Sequence, residues 1–145
     1  MSNLAFLLVL ALCMSQPLIT NASWFSKRYV IHIENRLSNY TLQAHCRSGD
    51  QDLGLHRISK GKQFQWEFYI SFWSIKVYFC NLSWLGGQLT FDAFSTPGCE
   101  DWALTRKSDL NCNWRVQDNG IYMFDFETRE YEFWKYWETF EGFSQ

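Results

Sequence analysis

Apolar and polar positions alternate along most of the chain, and that period of two predicts strands. Tyr29, Ile31 and Ile33 alternate with Val30, His32 and Glu34; after the polar turn at 35–39, Tyr40, Leu42, Ala44 and Cys46 share a face, which reads as a hairpin with one buried side. Phe64, Trp66, Phe68 and Ile70 oppose Gln65, Glu67 and Tyr69, and Ile75, Val77 and Phe79 repeat the pattern up to Cys80. Leu89, Phe91 and Ala93 follow a Gly86-Gly87 turn. Cys112, Trp114 and Val116 resume the period, Asp118-Asn119-Gly120 turns the chain, Ile121 to Glu127 returns, and the aromatic tail from Tyr131 can form a last strand. Gly, Asn, Asp and Pro separate the runs. Seven or eight short strands, with no more than a short helical turn or an irregular loop between Cys99 and Cys112, predict an all-β fold, a small antiparallel β-sandwich, with a closed barrel as the competing architecture.

The beginning of the chain breaks this pattern. Leu4 to Met14 is almost wholly apolar and is followed by Ser15, Gln16 and Pro17, then by Thr20-Asn21-Ala22-Ser23, and no charged side chain occurs before Lys27. An apolar run of that length reads as a secretory signal peptide, because it is too short to span a bilayer comfortably. Cleavage after Ala22 leaves residues 23–145 as one domain, outside the cell and with no further membrane-inserting segment.

Secretion changes how the cysteines are read. Cys13 leaves with the signal, so Cys46, Cys80, Cys99 and Cys112 remain, an even number in an oxidising compartment. Two disulfides follow, with three pairings open to four cysteines. The order of the strands favours Cys46 with Cys112 and, nested within that loop, Cys80 with Cys99. A zinc site is disfavoured because no Cys-x-x-Cys pair occurs. Secretion also gives meaning to two acceptor sequons, Asn39-Tyr40-Thr41 and Asn81-Leu82-Ser83.

Composition adds bounds on size and partners. A length of 145 residues suits one domain, aromatic residues reach 19%, and the net charge of −2 lacks the basic excess that nucleic-acid or membrane-surface binding needs. No Gly-x-Ser-x-Gly context accompanies the three histidines, and Asp50 and Asp52 lack the remaining ligands of a calcium loop. No catalytic residue, metal or cofactor is therefore expected. Trp66 and Trp114 lie on apolar faces and belong in the core; Trp102 falls in a charged segment between two cysteines, and Trp134 and Trp137 fall on opposite faces of the last run. Exposed tryptophans would suit a surface that stacks on sugars.

The ordered set His45-Cys46, Asp50-x-Asp52-Leu53-Gly54, Phe64-x-Trp66-x-Phe68, Phe79-Cys80-x-x-x-Trp84, Phe91-Asp92 and Cys112-x-Trp114-x-Val116-x-x-x-Gly120-x-Tyr122 resembles the plant self-incompatibility proteins, the S-protein homologues. The resemblance runs over nearly the whole mature chain. It implies a small secreted β-sandwich with two disulfides that acts as a non-enzymatic extracellular ligand of a plant cell-surface receptor in cell–cell recognition, such as rejection of self pollen. Gln51 departs from it, since the family often places a third acidic residue there. Recognition is expected in three loops: Arg47 to Asp52, with Arg47, Asp50 and Asp52; Glu100 to Asp109, with Trp102, Arg106 and Lys107; and the hairpin at Asp118. A monomer is expected. A lectin-like module binding cell-wall carbohydrate is the alternative, and an inhibitor using one rigid loop is a third reading.

Overall fold

A computed structural model describes residues 26–71, 73–96 and 109–138, together with Asn3. The segment 1–22 expected to be a signal peptide lies outside the described residues apart from Asn3. The described residues form nine strands: β1 (Ser26–Asn35), β2 (Leu42–Arg47), β3 (Asp52–Ile58), β4 (Gln63–Ser71), β5 (Val77–Trp84), β6 (Gly87–Ser95), β7 (Asp109–Gln117), β8 (Gly120–Asp125) and β9 (Glu130–Lys135). They make two sheets, one of five strands in the order β4-β1-β7-β8-β9 and one of four in the order β3-β2-β5-β6. The sheets face one another across a single core, so the sandwich expected from the alternation is present.

The alternation places its side chains as expected on β1, β2 and β4. Tyr29, Ile31 and Ile33 are buried, as are Leu42, Ala44 and Cys46, and so are Trp66, Phe68 and Ile70. Rings interlock between the sheets: Tyr29 lies 4.7 Å from Phe94, Phe68 lies 4.7 Å from Tyr78, and Phe91 lies 4.7 Å from Trp114, centroid to centroid. The Trp114 indole also donates from Nε1 to the Ala93 carbonyl at 2.9 Å, satisfying its polar atom inside the core.

Several details differ from the sequence reading. Nine strands are present among the described residues because Asp52–Ile58 pairs with β2 although its sequence shows little alternation. One pair is parallel: β7 arrives from the opposite sheet and runs alongside β1 in the same direction, Ile31 opposite Cys112. The expected hairpin of β1 with β2 is absent, because the two strands belong to different sheets. The chain turns a corner there instead. Leu37 is buried in the corner, and the fully buried Asn35 side chain supplies the hydrogen bonds that strand pairing would have made. Its Nδ2 donates to the carbonyls of Tyr40 and Ile58 at 2.9 and 2.8 Å, and its Oδ1 accepts from the Leu37 N–H at 2.9 Å.

The disulfide pairing is also corrected. Cys46 is bonded to Cys80, not to Cys112, because the two sit directly opposite each other on neighbouring strands β2 and β5, with Cα atoms 4.0 Å apart. Cys112 lies on β7 in the other sheet; it is disulfide-bonded, and Cys99 falls outside the described residues. The phase of β5 differs as well. Tyr78, Cys80 and Leu82 point inwards, whereas Ile75 and Val77 are exposed: both faces of this strand carry apolar side chains, and the face that includes the disulfide-bonded Cys80 is the one turned to the core.

Candidate functional site

Strand directions divide the loops between two ends of the sandwich. At one end, the Ser48 end, β2 turns into β3 at residues 48–51, β4 crosses to β5 at 72–76, β6 finishes at Ser95 and β7 begins at Asp109. At the other, the Asn35 end, lie the corner at 36–41, the turns at 59–62 and 85–86, and the Asp118-Asn119 turn.

The turn at the Ser48 end is held by its own polar side chains. The Ser48 N–H donates to the Gln51 carbonyl at 2.8 Å, and its hydroxyl donates to Asp50 Oδ1 at 2.7 Å. Asp52 Oδ1 accepts from the Gly54 N–H at 2.8 Å and lies 2.7 Å from His45 Nε2, while Gly54 takes a positive φ of 77° that a side chain would resist. The Ser48 hydroxyl, then Lys76, hold the Asp50 carboxyl below the usual carboxylate range; the Gly54 N–H, then His45, do the same for Asp52. Gln51, the departure from the acidic pattern, accepts from the Tyr78 hydroxyl at 2.7 Å, which ties the turn to β5. Arg47 extends over the Phe79 ring, 5.0 Å from its centroid.

The β4–β5 connection packs beside this turn. Lys76 Nζ is 3.6 Å from Asp50 Oδ1 and lies over the Phe68 and Tyr78 rings. Next to this polar join stand large exposed apolar side chains: Ile75 is 84% exposed, Trp73 74% and Tyr69 63%. A shallow depression of about 600 Å³ runs between the two segments, lined by Ser48, Asp50, Tyr69, Ser71, Ile75 and Lys76 among others. An exposed cluster of aromatic and aliphatic side chains rimmed by fixed charges is an arrangement that binds a protein surface.

The structure brings Arg47, Asp50 and Asp52 together and sets Asp118 at the opposite end. There its Oδ1 accepts from the Ser38 N–H at 2.9 Å and its Oδ2 from the Ser38 hydroxyl. Those two contacts lower the Asp118 pKa from the ordinary carboxylate value, the hydroxyl contributing most. Trp102, Arg106 and Lys107 lie outside the described residues. Both sequon asparagines are exposed, Asn39 in the corner and Asn81 on β5, where its Oδ1 accepts from the Thr90 hydroxyl at 2.8 Å. Trp66 and Trp114 are buried as expected, Trp134 is exposed on β9, and Trp137 packs against Trp84 with its Nε1 donating to the Gln117 carbonyl. The sequence reading overlooked Trp73 and misplaced Ile75; a Phe-Trp pair between two serines, at a chain reversal rather than on an alternating run, was the available signal. Among the described residues no group of three or more His, Cys, Asp or Glu could hold a metal ion, and no helix is long and apolar enough to cross a membrane.

The fold and its loop-bearing end define a small disulfide-stapled β-sandwich that presents a fixed loop cluster. Compared with known families, residues 30–137 match the plant self-incompatibility protein S1 family, and the chain belongs to it. S-protein homolog 2 of Arabidopsis thaliana is 29% identical over 119 residues, covering 81% of this chain and 73% of the relative. Self-incompatibility protein S1 of Papaver rhoeas is 26% identical over 122 residues, covering 81% of each. A solved structure from the self-incompatibility protein homologues, a widespread family of small, highly stable, secreted plant proteins, superimposes with a TM-score of 0.56. It is 18% identical and covers 78% of this chain and 96% of its own. Family membership places the chain among secreted plant proteins.

Proposed function

We propose that the chain is a non-enzymatic extracellular ligand, read by a plant cell-surface receptor through the Ser48 end of the sandwich. The observation that carries this reading is the pairing of a turn fixed by its own hydrogen bonds with the exposed Trp73, Ile75 and Tyr69. A turn already held in one conformation loses little freedom on contact, so more of the contact energy is available for affinity. Membership of a self-incompatibility family supports cell–cell recognition as the setting. In this reading residues 1–22 are removed as a signal peptide, residues 23–145 act as a monomer, and glycans are carried by Asn39, at the opposite end from the Ser48 turn, and by Asn81, on the outer face of β5 across from His45. Arg106, Lys107 and Trp102 would extend the contact surface.

The test uses the labelled, oxidised mature chain on plant protoplasts, which lack a wall. Saturable binding that mild surface proteolysis abolishes, and that Trp73→Ala or Arg47→Ala weakens at least tenfold, is the expected result. Absence of saturable binding across protoplasts of vegetative and reproductive tissues, or binding indifferent to every substitution at the Ser48 end, overturns the reading.

A further inference from the structure

The outer face of the five-stranded sheet carries a second feature that the receptor reading leaves unused. The edge strand β4 and its neighbours β1 and β7 place their outward side chains in cross-strand rows: Gln63, Glu34 and Arg115 form one, and Gln65, His32 and Asn113 the next. Neighbouring strands lie about 4.8 Å apart, so each row is a continuous band of polar groups. The arginines and glutamates described on this face are engaged with one another, two guanidiniums sharing the Glu34 carboxylate. Glu34 accepts from Arg115 Nε at 3.0 Å and from Arg36 Nε at 2.7 Å, and Arg28 pairs with Glu67. What faces solvent between these pairs is amide and imidazole.

Those amides are under-used within the protein. Asn113 makes no side-chain hydrogen bond among the described residues; Asn111 meets His32 Nε2 at 3.4 Å, and Gln63 donates to Gln65 at 3.1 Å. Each planar amide still offers donors and acceptor lone pairs side by side. An aromatic wall borders them on one flank. The Arg115 guanidinium lies 3.7 Å over the Tyr131 ring and fixes it, and Phe126 stands beside it around a depression of about 380 Å³. That volume falls within the range of about 300–1,000 Å³ typical of small-ligand sites.

We propose that this face binds a neutral oligosaccharide. A cation would need a free carboxylate, and Glu34 and Glu67 are each held by arginine; an anion would have to draw Arg36 or Arg115 away from the carboxylate they share. A sugar chain presents many hydroxyls, each donor and acceptor, together with apolar C–H patches. Adjacent amides answer the first, and the Phe126 and Tyr131 side chains that line the depression answer the second. The site lies on the outer face of the five-stranded sheet, whereas Arg47, Asp50 and Asp52 belong to the four-stranded sheet and its turn, so the two surfaces are separate and the protein could rest on a polysaccharide while that turn remains available.

The experiment is a titration of the isotope-labelled mature chain, followed by side-chain amide NMR and by calorimetry. The probes are cellohexaose, mannohexaose and a xyloglucan heptasaccharide, with trigalacturonic acid as the acidic counterpart. Saturable shifts of the Asn111, Asn113 and Gln65 side-chain amides with at least one neutral probe are expected. Gln65→Ala combined with Asn113→Ala should weaken that binding at least tenfold with the melting temperature unchanged, and Arg47→Ala should leave it intact. If the double variant does not fold, the map of shifts on the natural chain decides. No saturable shift with any neutral probe, tighter binding of trigalacturonic acid, or shifts confined to the separate depression that Phe91, Ala93, Met123 and Trp134 line between β6 and β9 overturns the proposal.

Discussion

The two ends of the sandwich are built from the same residue types and put to different uses. At the Asn35 end, Asn35, Ser38 and Asp118 spend their hydrogen bonds on other segments of the chain, joining β1 to the turns before β4 and after β7. At the Ser48 end, Ser48, Asp50 and Asp52 spend most of theirs within one turn, and the neighbouring connection leaves Trp73 and Ile75 in solvent. One end closes the fold. The other is shaped without being committed to it, so it can be altered with little effect on stability, as a contact surface requires.

Breaking this contrast should give effects of graded size. Replacing Cys46 and Cys80 together by alanine removes a crosslink spanning a sequence separation of 34 residues, and a loss of about 4 kcal/mol is expected from urea unfolding. Peptide mapping without reduction should recover Cys46 linked to Cys80. At the Asn35 end, Asn35→Ala strands two carbonyls and an N–H in a buried corner, for a loss of roughly 3 kcal/mol in the same assay. Gly120→Ala should lose about 2 kcal/mol, because its φ is 152° and an added Cβ would meet the Lys135 carbonyl oxygen at 2.4 Å. Smallest is Trp73→Ala, expected to change stability by no more than about 0.5 kcal/mol while weakening cell binding tenfold. A large loss of stability there would erase the distinction between the ends.

Acid sharpens the comparison without mutation. The carboxyls of Asp50, Asp52 and Asp118 ionise at lower pH in the folded protein than in the unfolded chain. Their hydrogen bonds therefore add stability fully above the unfolded value of about 4, and that stability disappears as the pH falls through the folded values. Hydrogen exchange of the Gly54 and Ser38 amides should accelerate below about pH 4 in excess of the intrinsic pH dependence of exchange. In Asp118→Asn the response at Ser38 should vanish while that at Gly54 persists.

Much of this architecture was legible because a strand with one buried face must alternate. That rule located β1, β2, β4, β6, β7 and β8 and assigned Trp66 and Trp114 to the core. It failed where both faces of a strand are apolar. Along β5 Val77 and Phe79 alternate with Tyr78, Cys80 and Leu82, so the period alone does not say which set is internal; in the fold Val77 is external, as is Ile75 just before the strand. The ordered motifs pointed to the family that the comparison with known proteins shows. Of the recognition loops, Arg47 to Asp52 was visible as a turn-rich polar stretch, but its neighbour at Trp73 was not, because the two segments are distant in sequence and are brought together by the pairing of β2 with β5 and by tertiary contacts such as Asp50–Lys76.

The sequence by itself determined the strand period, the aromatic core and the family, since each depends on local order along the chain. Only the tertiary structure decided which strands are neighbours. Pairing depends on how each connection crosses between the sheets, and hydrophobic alternation is the same whichever partner a strand takes. From that choice follow the Cys46–Cys80 bond, the parallel β1–β7 pair and the separation of Asp118 from the Ser48 end. The amide rows of the outer face follow from it too. Gln65, His32 and Asn113 lie far apart in sequence and meet only because β1 settles between β4 and β7.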